Sequence, residues 1–118
     1  MTINYKVFEL KNGQQEIAAI VDAPNGETLS TFLYSDVSEF GTWVNQELDS
    51  VISGRKECID ISCNACRLVA SGDEAIIYDL YAENDDDYQS TRFTIRPVEL
   101  KQIIDEWLYS NRKINAKE

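Results

Sequence analysis

The chain has 118 residues, 43% of them hydrophobic and 10% aromatic, with a formal net charge of −10 and a pI near 4.4. That is enough apolar material for one packed domain spanning residues 1–118, and it excludes an intrinsically disordered chain. Such acidity repels nucleic acid and anionic membranes, so neither is an expected partner, and a basic protein is the natural counterpart.

No apolar run approaches the roughly 18 residues of a membrane span. The opening MTINYKVFELKNG alternates polar and apolar residues and lacks the apolar centre of a signal peptide. Cys58, Cys63 and Cys66 are odd in number and crowded together, which argues against a disulfide framework and for a reducing compartment. The cytoplasm is the expected location.

In chain order, Ile3–Leu10 alternates as a strand, Asn12-Gly13 gives a hairpin signal, and Glu16–Asp22 returns with Ile17, Ala19 and Val21 on one face. The turn residues 22–26 follow. Alternation of Leu29, Thr31 and Leu33 against Phe32 and Tyr34 then predicts a third strand over Thr28–Tyr34. From Val37 the period changes to 3.6. Val37, Phe40, Val44, Leu48, Val51 and Ile52 form one stripe of an amphipathic helix, with Asp36 as its expected N-cap and Glu39 as its N3 partner. Gly54 fits the position just past its end, and Gly41 inside it is read as room for close approach to a strand.

Four further strands are expected. Ile59, Ile61 and Cys63 share a face, Cys66–Ser71 returns after Asn64-Ala65, Glu74–Tyr81 comes next, and Tyr88–Ile95 closes the block after a polar loop. Pro97 suits the first position of a last helix, whose stripe is Leu100, Ile103, Ile104, Trp107 and Leu108. A polar tail is expected from about residue 112. The fold class is α+β, two strand-and-helix repeats (βββα-ββββα) with antiparallel sheets covered by two helices. Trp43 and Trp107 are both placed in the core.

There is no histidine, which removes the commonest general base and the Ser-His and Cys-His nucleophilic systems. The five glycines are isolated, so no phosphate loop exists. No catalytic residue, cofactor or metal is expected, and the chain is not read as an enzyme. Cys63-Asn-Ala-Cys66 has the spacing of half a zinc site or a redox dithiol. A hairpin turn with its thiols packed as small hydrophobes fits better, because a redox dithiol usually precedes a helix.

Between Asp73 and Asp87 stand Asp73, Glu74, Asp79, Glu83, Asp85, Asp86 and Asp87, with no Lys or Arg among them. Asn84–Asp87 lacks the alternating ligands and glycine of a calcium loop. Two readings remain level: a solvated edge that blocks aggregation, or a docking surface for a basic partner. Tyr81 and Tyr88 flank the acids as candidate interface anchors.

The segments Ile52–Leu68, Asp73–Tyr81 and Pro97–Trp107 resemble immunity proteins of bacterial contact-dependent growth inhibition systems. Some of those proteins are similar to the Whirly fold, with two strand-and-helix repeats. The resemblance implies an inhibitor that binds and neutralises a cognate toxin, often a nuclease with a basic cleft. The expected contact residues are Asp73, Glu74, Asp79, Tyr81, Glu83, Asp85, Asp86, Asp87 and Tyr88, forming an acidic strand edge with its carboxylates on one face. The alternatives are an acidic regulatory or adaptor domain for another basic protein, and a metalloenzyme using the three cysteines.

Overall fold

The computed structural model describes residues 1–82 and 89–115. The strands form two antiparallel sheets, one of two strands and one of four. Strands β1 (Thr2–Glu9) and β2 (Gln15–Asp22) form a hairpin in the register Tyr5 opposite Ala19 and Val7 opposite Ile17. Its turn closes through Leu10 N–H to Gln14 O at 2.7 Å. Only Gly13, with φ 87°, takes the left-handed conformation there, while Asn12 accepts the Gln14 N–H on its side chain at 3.0 Å.

Thr28–Tyr34 is helical, not a third strand. Helix α1 (Gly26–Thr31) runs into a wide π-helical turn over Phe32–Val37, which leads directly into α2 (Ser38–Ile52). The first half therefore carries two strands before its helix. The physical reason is the spacing of buried side chains. Leu29, Phe32, Leu33 and Val37 follow at 3, 4 and 8 residues, one helical stripe that joins Val44, Leu48 and Val51 further on. Period-2 alternation over the same residues misses it. α2 ends as expected, with Gly54 at φ 81° just past its last turn.

Strands β3 (Cys58–Ser62), β4 (Cys66–Ser71), β5 (Ala75–Asp79) and β6 (Phe93–Ile95) form a meander in that spatial order. The closing strand is shorter than Tyr88–Ile95; Gln89 and Ser90 are helical, and Tyr88 lies outside the described residues. Ile59, Cys66, Leu68, Ala70, Ala75, Ile77, Phe93 and Ile95 are all buried on the sheet's inner face. Helix α3 (Pro97–Asn115) extends past residue 112, where a tail was expected. It buries Leu100, Ile103, Ile104 and Trp107. The Trp107 Nε1–H donates to Ser38 Oγ at 3.0 Å, so this large residue is satisfied as well as enclosed.

Gly41 allows close approach to a helix, not to a strand: a Cβ there would lie 2.7 Å from Leu108 Cδ2 on α3. Gly26 is tighter, because a Cβ at that position would drive into the backbone carbonyl of Val21. Helix propensity favours alanine over glycine by about 1 kcal/mol, but a backbone clash cannot be relieved by a rotamer change. Gly26→Ala is therefore expected to lower stability by roughly 1–3 kcal/mol in urea unfolding, against the direction that propensity alone predicts.

Candidate functional site

Asp36 is not an N-cap. It sits inside the π-helical turn, fully buried, and its two carboxylate oxygens accept the backbone N–H groups of Ala65 and Cys66, each at 2.9 Å. It thus ties the turn between β3 and β4 to the helical layer. Burial pushes its pKa up; the N–H groups of Ala65, Cys66 and Asn64 pull the other way, and Glu39 adds repulsion.

The clamped turn presents one end of the sheet. Leu80 N–H donates to Ala65 O at 2.9 Å, and the Tyr81 hydroxyl donates to Asn64 O at 3.1 Å. Asp79 holds the segment from below: its Oδ1 accepts Tyr81 N–H at 2.9 Å, and its own N–H donates to Thr91 Oγ1 at 3.0 Å. On the other flank Asn64 Nδ2 donates to Glu39 Oε2 at 2.8 Å. Asp79, Tyr81, Asn64 and Glu39 therefore form one connected acidic surface, with Tyr81 74% exposed.

Asp73 and Glu74 lie elsewhere. They occupy the turn between β4 and β5, five residues of strand, or roughly 16 Å, from Asp79. The expectation of a single acidic face is corrected to that extent. β5 is moreover an interior strand between β4 and β6 rather than an edge. Glu83, Asp85, Asp86, Asp87 and Tyr88 lie outside the described residues. Among the described residues, ion pairs join Lys56 to Glu47, Arg67 to Asp60 and Lys101 to Asp49, and none involves Glu39, Asp73, Glu74 or Asp79.

Sequence reasoning missed Asp36, Glu39, Asn64 and Trp43. Trp43 is 40% exposed, not in the core, and meets Phe40 edge-on with ring centroids 6.4 Å apart. Its signal was its place one residue off the apolar stripe at Val44. Cys63 and Cys66 flank the hairpin turn, with Cys63 N–H bonded to Cys66 O at 2.9 Å. Burial and the Asp36 charge push the Cys63 thiol up to about 11 and raise that of Cys66 further. A metal ligand or redox nucleophile needs the thiolate, so both are poorly suited to either task. Among the described residues no three His, Cys, Asp or Glu side chains are grouped to hold a metal ion, and no helix is long and apolar enough to cross a membrane.

The chain is similar to a Bacillus cereus protein described as an immunity protein, with 32% identity over 79 residues. The match covers 67% of this chain and 65% of that relative, just under two thirds of the relative's length. No family model matches the sequence, and no solved structure matches it.

Asp36→Ala leaves two buried N–H groups without acceptors, for an expected loss of roughly 2–5 kcal/mol in urea unfolding; Asp36→Asn, which keeps one acceptor, should lose about 1–3 kcal/mol. Because the folded pKa is raised, this carboxyl's contribution to stability is complete below the ordinary carboxylate range and is lost as pH rises through the folded value. The advantage of the native protein over Asp36→Asn should therefore narrow as pH rises above the ordinary carboxylate range. Thiol labelling near pH 8 should modify exposed Cys58 first, Cys63 slowly and Cys66 only on unfolding, as read by mass spectrometry of digested protein.

Proposed function

We propose that this chain is an immunity protein that binds and neutralises a cognate bacterial toxin in the cytoplasm. The observation that carries this reading is the similarity to the Bacillus cereus immunity protein. In the same reading it serves a contact-dependent growth inhibition system, its toxin is a nuclease with a basic cleft, and it acts by occupation rather than by catalysis.

The electrostatics support such a partner. Glu39, Asp73, Glu74 and Asp79 are in no ion pair among the described residues and retain their field, and a chain at −10 accelerates encounter with a basic surface toward 10⁸ M⁻¹s⁻¹, by order of magnitude, at low salt. A protective protein gains from speed, since free toxin acts until it is bound. In this proposal Asp79 and Tyr81, continued by Glu83, Asp85, Asp86, Asp87 and Tyr88, form the contact, standing where substrate phosphates would stand. Asp73 and Glu74 add to the long-range field from the far end of β5.

The test is co-expression with the product of the adjacent gene. That product is expected to arrest growth alone, to be tolerated in the presence of this chain, and to co-purify with it. Converting Asp85, Asp86 and Asp87 to Asn should slow association about tenfold at low salt and flatten its salt dependence, while Asp73→Asn with Glu74→Gln changes it by less than about twofold. Unchanged kinetics in the triple variant would put the binding face elsewhere. The same chain protecting nothing, yet binding an unrelated basic protein, would favour an adaptor role.

A further inference from the structure

The acidic surface does not end at Asn64. Glu39, whose carboxylate holds the Asn64 amide, opens α2, and the next residue breaks the helix: Phe40 has φ −116° and ψ 17°. Gly41 then brings the chain against Leu108, and Trp43 returns to the same side. The result is a hollow of about 380 Å³ bounded by Glu39, Phe40, Trp43, Gln46 and Leu108. Phe40 is half-buried, Trp43 is 40% exposed, and their planes meet at 80°. Folding alone does not require an indole at this position, since the buried stripe of α2 runs through Val44, Leu48 and Val51.

Resting on the reading that a basic toxin is the partner, we propose that this hollow is the apolar anchor of the docking face and receives a lysine or arginine side chain of that toxin. Three observations select a cation. The indole and phenyl faces carry negative π density, which attracts ammonium and guanidinium groups. Glu39 stands at the rim and is in no ion pair among the described residues. Docking an apolar side chain beside it would strip water from a carboxylate whose charge the Asn64 amide does not neutralise, and an anionic one would add repulsion. The aliphatic stem of a lysine or arginine covers the ring while its charge reaches Glu39, so both parts of the hollow are used. An exposed Trp ringed by polar side chains is also the composition of energetic anchors in protein interfaces.

The experiment measures binding kinetics of the purified product of the adjacent gene to this chain and to Trp43→Ala, Trp43→Phe and Trp43→Leu, with Ile20→Ser on the outer face of the β1–β2 hairpin as control. All sites are surface positions, and thermal melts establish that each variant folds. The proposal expects Trp43→Ala to raise the dissociation rate at least tenfold with association changed by less than about twofold, since anchors act mainly on dissociation. Trp43→Phe should recover most of the loss, Trp43→Leu much less, and Ile20→Ser should match the native chain. If the native chain binds and Trp43→Ala dissociates no faster, the anchor is overturned while the toxin reading stands. Equal rescue by Leu and Phe would overturn the cationic occupant. Failure of the native chain to bind sinks the toxin reading and the anchor with it.

Discussion

A single buried carboxylate holds the two halves of the molecule in register. Asp36 comes from the helical layer, Ala65 and Cys66 from the turn between β3 and β4, and the two N–H groups they present would otherwise be orphaned in the interior. Burying an ionisable group is costly, as the raised pKa records, and an apolar side chain would fill the volume without that penalty. What an apolar residue does not supply is direction. Two acceptors aimed at consecutive amides fix the turn's orientation, and Asn64, Leu80 and Tyr81 take their positions from it. The wide turn over Phe32–Val37 is what aims the carboxylate, and irregular helical turns of this kind commonly occur where a side chain must be redirected.

Much of this was legible in the sequence where one periodicity ruled. The hairpin strands, α2 beyond Val37, the β3–β4–β5 meander and α3 all follow from alternation or from an apolar stripe. Legibility failed where two patterns overlapped. Leu29, Thr31 and Leu33 alternate, yet Leu29, Phe32, Leu33 and Val37 also make a helical stripe, and tertiary burial against β2 and β5 decided for the helix. Asp36 falls on that stripe, where a carboxylate is out of place without its partner. That partner lies 29 residues away in sequence, beyond any local pattern. The acidic residues show the same limit: composition counts them, but only topology separates Asp73 and Glu74 from Asp79.

The charge of this chain works at two ranges. The net value of −10 attracts a basic partner at long range, with the carboxylates nearest the contact counting most because salt screens those more than a Debye length away. Specific contact requires fixed geometry, and the proposed contact has it at the end of the sheet where Glu39, Asn64, Asp79 and Tyr81 are joined by hydrogen bonds. Phe40 and Trp43 extend this end with aromatic area that the fold leaves uncovered. A surface with steering charge around a rigid aromatic centre favours fast encounter and slow release together, as the proposed immunity role requires.

Amide hydrogen exchange of the free chain and of its complex with the adjacent gene's product addresses the whole account directly. It predicts added protection in residues 39–43, 63–66 and 79–82, with the β1–β2 hairpin and the turn at Gly72 exchanging as before. Protection centred on the β1–β2 hairpin, with the Asp36-clamped end unaffected, would contradict it.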